Sequence, residues 1–401
     1  MKILFICHRV PFPANRGGKI RPFNMIRHLN RNHHVTVASL AGSEDELRQS
    51  AGLSDHCAEV IVEVLPRRVR YAQAAAALLS RRPSSVAYFH SRRLHQRVQR
   101  AAETTRFDVV MVHCAFVAPY ALGVDAGVRI LDYGDLDSAK WFDYSRHRGW
   151  PMSWGYALEA RKLRAFERML AGRAQHCTLT TDGEALEFQT LGVPVPVTVI
   201  PNGVDTGYFE RRALPRDSSL IVFVGRMDYF PNIQGVDYFA REIFPLIRRR
   251  LPSAEFRIVG SNPSRGTQAL ARLPGVSVTG HVPDVRPVVE NAAVSVAPLR
   301  IARGTQNKVL ESMAMGIPVV ATREAARGIS AVPGEHLLVA DDPASFADRV
   351  LEVIQSPPLQ RRLVDAARER VEHAHAWPRS MNKLEALLHE SVSRVQPSLP
   401  R

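Results

Sequence analysis

No run of apolar residues in this 401-residue chain approaches the ~18 that a membrane-spanning helix needs. The short apolar run in the opening segment, MKILFICHRVPFP, stops at His8 and Arg9, so it reads as a first strand and not as a leader. Cysteine is scarce: Cys7, Cys57, Cys114 and Cys177 are widely spaced and form no CxxC pair. Reduced thiols are expected, with neither a disulfide framework nor a cysteine zinc site. No GxGxxG follows a strand with an acidic partner ~20 residues on, which argues against a dinucleotide-dependent dehydrogenase. There is no DxD-like motif in a suitable loop, and no His/Asp cluster suggests a metal. Nucleic-acid motifs are missing too: no zinc-finger spacing, no RNP-like aromatic run and no long basic tail. About 45% hydrophobic residues is ordinary for a globular protein.

Acid is the other shortage. Lysine and arginine number 53 against 39 acidic residues, a formal net charge of +14. That excess points to an anionic partner, such as a phosphorylated ligand or a membrane surface. The densest basic patch holds Arg67, Arg68, Arg70, Arg81, Arg82, Arg92, Arg93, Arg97 and Arg100. An apolar helix-like segment, Tyr71–Leu79, lies within it. Basic residues flanking an apolar helix suit an anionic leaflet, and an ordinary solvated surface with an arginine bias is the alternative.

The chain alternates strands with helices. Lys2–Cys7, Val35–Ser39, Phe107–His113, Val128–Asp132, Thr178–Thr181 and Val197–Ile200 read as strands of a first series. A glycine loop ending at Gly17-Gly18 precedes a helix over Lys19–Asn30, and a long amphipathic helix covers Gly155–Arg173. Pro201–Asp205 and the polar residues after it mark a boundary. A second series follows: Leu220–Gly225, Glu255–Gly260, Val276–Thr279, Val294–Pro298, Val319–Thr322 and Leu337–Ala340, with a helix over Gln234–Leu251. Strands separated by helices predict an α/β fold of two parallel, doubly wound sheets. Two such domains make a cleft between them a natural ligand site.

Gly304–Thr322, GTQNKVLESMAMGIPVVAT, is the most informative segment. Gly304-Thr305 opens a short helix with Leu310, Met313 and Ala314 on its apolar face. Gly316 suits the positive φ of a helix C-terminus, and Pro318 prevents continuation. Lys308 and Glu311, three apart, share one side of the helix. A lysine at a helix N-terminus suits a phosphate, and a carboxylate one turn on can accept from a ribose diol. An exposed Lys–Glu pair is the plainer reading.

VIPNGVDTGYF at Val199–Phe209, FVGRM at Phe223–Met227, FRIVG at Phe256–Gly260 and NKVLESMAMGIPVVAT at Asn307–Thr322 occur in order. Together they resemble the GT-B glycosyltransferases of the large retaining family GT4, over nearly the whole chain. PFPANRGGKIRPFNMIRHL, DLDSAKW at Asp135–Trp141 and MDYFPN at Met227–Asn232 resemble a narrower group. That group comprises sugar transferases associated with exosortase (PEP-CTERM) and exopolysaccharide systems.

The resemblance implies two Rossmann-like domains facing across a cleft. Residues 1–205 would receive a saccharide or lipid-linked acceptor. Residues 206–375 would bind a nucleotide-diphosphate sugar. A final helix over 376–401, with Trp377, would return to the first domain. Glu311 matches the second glutamate of the family's E-x7-E pattern, which holds ribose hydroxyls. Arg226 matches the arginine that neutralises the diphosphate, and Lys308 lies at the diphosphate-facing end of the signature helix. Gly304 and Thr305 belong to the donor loop. Gly17 and Gly18 match the glycine loop after the first strand, where backbone amides approach phosphate. His113 matches a histidine that approaches the transferred sugar in relatives. No cofactor beyond the donor substrate is implied, and catalysis without a metal is expected, with Arg, Lys and helix N-termini stabilising the leaving diphosphate. A cytoplasmic protein, peripheral on the inner membrane, fits this setting.

Two departures stand out. The first glutamate of E-x7-E falls on Arg303, which would add a diphosphate contact or recognise an acidic sugar. The lysine often found a few residues after the arginine is replaced within Asp228–Asn232, shifting the diphosphate clamp onto Arg226 and Lys308. A UDP-sugar 2-epimerase shares this architecture, and a sugar-nucleotide-binding protein without turnover would share the donor site.

Overall fold

The computed structural model describes residues 1–212 and 217–395. The chain forms two compact units, Met1–Pro201 with Ser380–Arg401, and Asn202–Arg379. Residues 396–401 of the expected final helix lie outside the described residues.

The first unit is built on seven parallel strands: β1 (Lys2–Cys7), β2 (His34–Ala41), β3 (Glu59–Val64), β4 (Phe107–His113), β5 (Ala126–Gly134), β6 (His176–Leu179) and β7 (Val197–Val199). Their order in the sheet is β3-β2-β1-β4-β5-β6-β7. The second unit carries six: β8 (Asp217–Val224), β9 (Glu255–Val259), β10 (Val276–Gly280), β11 (Ala292–Ala297), β12 (Val319–Ala321) and β13 (Leu338–Val339), in the order β10-β9-β8-β11-β12-β13. Every pairing is parallel. Both sheets are therefore doubly wound, and each reverses its winding once, between β1 and β4 and between β8 and β11. Ligands of open α/β sheets bind outside the carboxyl ends of the strands at such points.

Central strands covered on both faces need unbroken apolar runs. Ile3–Cys7 and Ala292–Ala297 meet that demand, and all are buried. β3 was absent from the sequence-based series. Its EVIVEV pattern places glutamates at both ends of a short edge strand and leaves only Ile61 and Val62 buried. The helix expected over Gln234–Leu251 breaks into Phe230–Tyr238, a π-helical turn Phe239–Ile243 and Phe244–Arg250. Pro245 lacks a backbone N–H, and the wider turn before it absorbs the missing bond. The helix Gly17–Leu29 starts two residues earlier than expected, and the signature helix Asn307–Ala314 starts later.

The last helix, Trp377–Val395, buries Met381, Leu384, Leu387 and Leu388 at helical spacing. Trp377 packs on Gly203, where a Cβ would lie 2.7 Å from the indole. The two segments that join the units thus brace each other within the second unit.

Candidate functional site

Two clusters stand at the two reversal points. In the second unit, β8 delivers Gly225 and Arg226, and the chain after β11 delivers the loop to the helix Asn307–Ala314. Gly304 sits at φ 62°, in the left-handed region, and its carbonyl approaches Gly328 so closely that a Cβ there would lie 1.8 Å from it. This contact fixes the loop path. The helix has no side-chain cap; Val309 and Leu310 donate to the Gln306 carbonyl, which leaves the amides of Asn307 and Lys308 without a carbonyl partner in the helix. Thr305 Oγ1 and Asn307 Oδ1 are buried and unpartnered beside them. Buried polar atoms are nearly always satisfied, so these two atoms and the free amides suit a ligand.

Lys308 and Glu311 do share one side of this helix. The Lys308 ammonium stands 4.2 Å above the centre of the Phe223 ring and donates to Asn232 Oδ1 at 2.5 Å. Asn232, itself buried, donates Nδ2 to the Arg226 carbonyl at 2.9 Å, so it ties the lysine to the β8 loop. Desolvation lowers the Lys308 pKa to about 7 against the opposing pull of Glu311. Desolvation likewise raises Glu311 to about 7, opposed by Lys308. Within the chain neither has a partner adequate to its charge. Such paired, opposite perturbations mark candidate functional groups.

Arg226 is half-buried and engaged. Its Nε and Nη2 donate to the Asp228 carboxylate at 3.0 and 2.5 Å. That hydrogen bonding raises the arginine's pKa and lowers that of Asp228. Asp228 was not singled out in the sequence reading. It orients the guanidinium and competes with any incoming phosphate for it. Arg303 is half-buried in the loop, and its carbonyl accepts from Gln306 Nε2 at 3.0 Å.

In the first unit, Gly17 and Gly18 are not a free loop. They form the first turn of the helix Gly17–Leu29, behind the extended residue Arg16, with no side-chain cap. Their amides precede the first helical bonds, which Lys19 and Ile20 make to the Arg16 carbonyl. A Cβ on Gly18 would stand 3.9 Å from the His8 ring. His113 ends β4, with its ring centroid 5.8 Å from that of His8. Nδ1 of His113 lies 2.6 Å from Asp132 Oδ2. Asp132 is fully buried and also accepts from Arg21 Nε (2.9 Å), Arg21 Nη2 (2.7 Å) and Thr178 Oγ1 (2.7 Å). Burial would raise this carboxyl, but Arg21 and His113 outweigh it and hold it well below the carboxylate range. An ionised Asp132 can only accept, so His113 donates from Nδ1. In the neutral ring Nε2 is then the acceptor. His8, Arg21 and Asp132 were missed from sequence because only tertiary packing joins them to His113. Burial first, then Arg9 and His113, push the His8 pKa well down.

Asp135, Asp137 and Ser138 turn to internal partners. Asp135 accepts from Thr180 Oγ1 at 2.6 Å, Asp137 accepts from Lys140 Nζ at 3.2 Å, and Ser138 donates to Glu167 through Oγ at 2.5 Å. Burial raises Glu167 to about 8. Arg70 also leaves the expected basic patch: it is buried and donates to the carbonyls of Leu65 (2.8 Å) and Ala41 (2.7 Å).

The chain resembles D-inositol 3-phosphate glycosyltransferases of two corynebacteria. That of Corynebacterium diphtheriae is 28% identical over 227 residues, 50% of this chain and 52% of the relative. That of Corynebacterium efficiens is 25% identical over 265 residues, 59% of this chain and 61% of the relative. The matches thus span little more than half the length of these relatives. Among solved structures, sucrose-phosphate synthase from Thermosynechococcus elongatus aligns with a TM-score of 0.73 at 17% identity, covering 98% of this chain and 100% of that one. HepE of Anabaena in complex with UDP-glucose aligns with a TM-score of 0.66 at 14% identity, covering 97% and 100%. At such identities these structures speak for the fold alone, which is GT-B. The family model described as Glycosyltransferase Family 4 matches residues 16–208, and that described as Glycosyl transferases group 1 matches residues 218–356. With one match on each unit, the chain belongs to the family 4 glycosyltransferases.

Proposed function

We propose that this chain transfers a hexosyl residue from a nucleotide-diphosphate sugar to a lipid-linked saccharide in exopolysaccharide synthesis, with retention and without a metal. The observation that carries the donor site is the β8/β11 reversal point. There Lys308, Arg226, uncapped helix amides and two orphaned polar atoms converge beside Glu311. Breaking a sugar–phosphate bond builds negative charge on the departing diphosphate. Preorganised cations and amides stabilise that charge without reorganising. Glu311 accepts from the ribose hydroxyls. In the first unit, Nε2 of His113, aimed by Asp132, addresses the transferred sugar, and the amides of Gly17 and Gly18 approach phosphate oxygens. HepE binds UDP-glucose in its complex, and the inositol-phosphate relatives are glycosyltransferases by name; both support this reading.

This reading has a proton signature. A diphosphate raises the pKa of Lys308, and ribose hydroxyls donating to Glu311 lower its pKa. At pH 8 the free protein holds Lys308 largely neutral and Glu311 ionised, so donor binding takes up a proton. At pH 6 Lys308 is already charged and Glu311 protonated, so binding releases one. Titration calorimetry with nucleoside diphosphates in buffers of differing ionisation enthalpy reads the exchange, up to about one proton in each direction. Glu311→Gln abolishes the release at pH 6 and keeps the uptake at pH 8. Exchange of one sign at both pH values refutes the assignment. Binding followed by release of free nucleoside diphosphate and a glycosylated product separates a transferase from a binding protein.

The exposed apolar residues support attachment to an anionic membrane. Tyr71, Leu78, Leu79, Trp150, Met152 and Trp154 are all exposed, Leu79 almost completely. Lys162 donates to the Ala77 and Leu78 carbonyls at 3.1 and 3.0 Å, and Glu159 accepts from the Ser84 and Ser85 amides. The helix Met152–Ala171 therefore lies against the 77–85 segment, within the basic region. Anionic vesicles are expected to retain the protein at low salt and release it at high salt, because each lysine or arginine near the surface contributes about 1 kcal/mol. Leu79→Asp with Trp154→Ala weakens retention. Equal retention on neutral vesicles counts against the electrostatic reading.

A further inference from the structure

Three histidines and a glutamate converge at the base of the first unit. Glu385 and His389 are one turn apart on the last helix, the spacing that places two side chains on one face. Opposite them, His28 lies in the final turn of the helix Gly17–Leu29, and His33 lies just before β2. His33 Nε2 is 2.7 Å from Glu385 Oε1, His389 Nε2 is 3.3 Å from the same oxygen, and His28 Nε2 is 3.5 Å from Glu385 Oε2. One donor atom each from His33, Glu385 and His389 lies within 4.8 Å of the other two. His33 Nδ1 accepts from the Met1 ammonium at 3.4 Å.

We propose that this cluster is a structural binding site for a zinc-class dication. His33, Glu385 and His389 are its ligands, and His28 is the fourth.

Zinc–nitrogen and zinc–oxygen bonds of ~2.0–2.1 Å place neighbouring donors of a tetrahedron about 3.3 Å apart. The separations of His33 Nε2 and His389 Nε2 from Glu385 Oε1, 2.7 and 3.3 Å, lie at or somewhat below that value. Imidazole and carboxylate donors together suit zinc and its neighbours better than magnesium or calcium, which take oxygen ligands. A second observation is independent of the spacing. His28 Nε2 and Glu385 Oε2 are both buried and face each other at 3.5 Å, and neither makes a well-formed hydrogen bond to any group. A bound dication satisfies both at once. The ligands come from three places in the chain, so the ion fastens the last helix onto the helix Gly17–Leu29 and the start of β2. The site lies within the first unit, shares no residue with the proposed donor site and does not depend on the proposed activity.

The test uses the full chain stripped with a chelator. Zinc is titrated in competition with a chromophoric chelator, and cobalt is substituted for its visible ligand-field spectrum. One zinc per chain and a tetrahedral cobalt spectrum are expected, with a higher thermal midpoint in zinc than in chelator. His389→Ala weakens binding at least tenfold and removes the zinc-dependent shift. His389 is 63% exposed in its side chain, so its loss does not threaten folding. Glu385→Gln gives the same result from the other anchor. Failure to bind zinc or cobalt, or binding and thermal shift unchanged in both variants, overturns the proposal.

Discussion

Lys308→Met lowers kcat/KM by about 10²–10³-fold, the usual effect of removing one preorganised group from a site of developing charge. It also leaves the protein at least as stable as the wild type. The two halves of this result share one cause. The ammonium is stacked on Phe223 and bonded only to Asn232, and desolvation depresses its pKa. A group whose folded pKa lies below its unfolded value weakens the fold wherever it must be charged. For Lys308 the unfolded chain binds more protons between about pH 7 and lysine's ordinary range near ~10.4. Wild-type stability from this residue therefore rises with pH across that window. Methionine keeps the hydrophobic stem and cannot charge, so the variant lacks the rise and gains most at pH 6. Lys308→Arg does not restore activity, because a planar fork cannot take the enclosed place of a point charge over the ring. Steady-state kinetics and thermal melts at pH 6 and pH 9 check both halves. Retained activity in the methionine variant would sink the role given to Lys308.

Much of the Lys308–Glu311 cluster was legible because it is local. Lys308 and Glu311 are one helical turn apart, and the alternation of strands and helices places their loop at the carboxyl end of a strand. What failed to read was non-local or contrary to type. Arg21 and Asp132 are 111 positions apart, and no pattern announces that they will meet under His113. Asp228 looked like a loop residue beside Arg226, and only the fold shows it gripping the guanidinium. Arg70 looked like surface charge and is instead a buried donor to two carbonyls. Glu385 and His389 carried a readable one-turn spacing, but the histidines opposite them lie more than 350 positions away. Gly17-Gly18 reads as a loop in the sequence and begins a helix in the structure, since two glycines argue against a helical start until Arg16 is seen to be extended.

The second large effect lies beneath the chemistry. Asp132→Ala destabilises the first unit by about 3–5 kcal/mol, because it leaves the Arg21 guanidinium buried without its counter-charge. The loss is not a simple sum of broken hydrogen bonds. Arg21 is held by Asp132 and donates Nη1 to the Ile200 carbonyl at 2.7 Å, so it cannot swing to solvent without disrupting β7 and the end of the unit. Replacing both partners, Arg21→Met with Asp132→Leu, costs less than Asp132→Ala alone, since no uncompensated charge remains. Three of the four tryptophans, Trp141, Trp150 and Trp154, belong to the first unit, so urea unfolding followed by fluorescence reports mainly on it. The pH dependence separates charge from volume. Asp132 titrates well below its unfolded value, so its stabilisation is complete above about pH 4 and is lost as the pH falls further. Asp132→Asn keeps the volume and flattens that acid limb. It also frees the His113 tautomer, because an amide can donate as well as accept. Activity in Asp132→Asn should therefore fall further than its remaining stability explains. A variant that kept full turnover with an unchanged acid limb would show that the triad neither holds the fold nor aims the histidine.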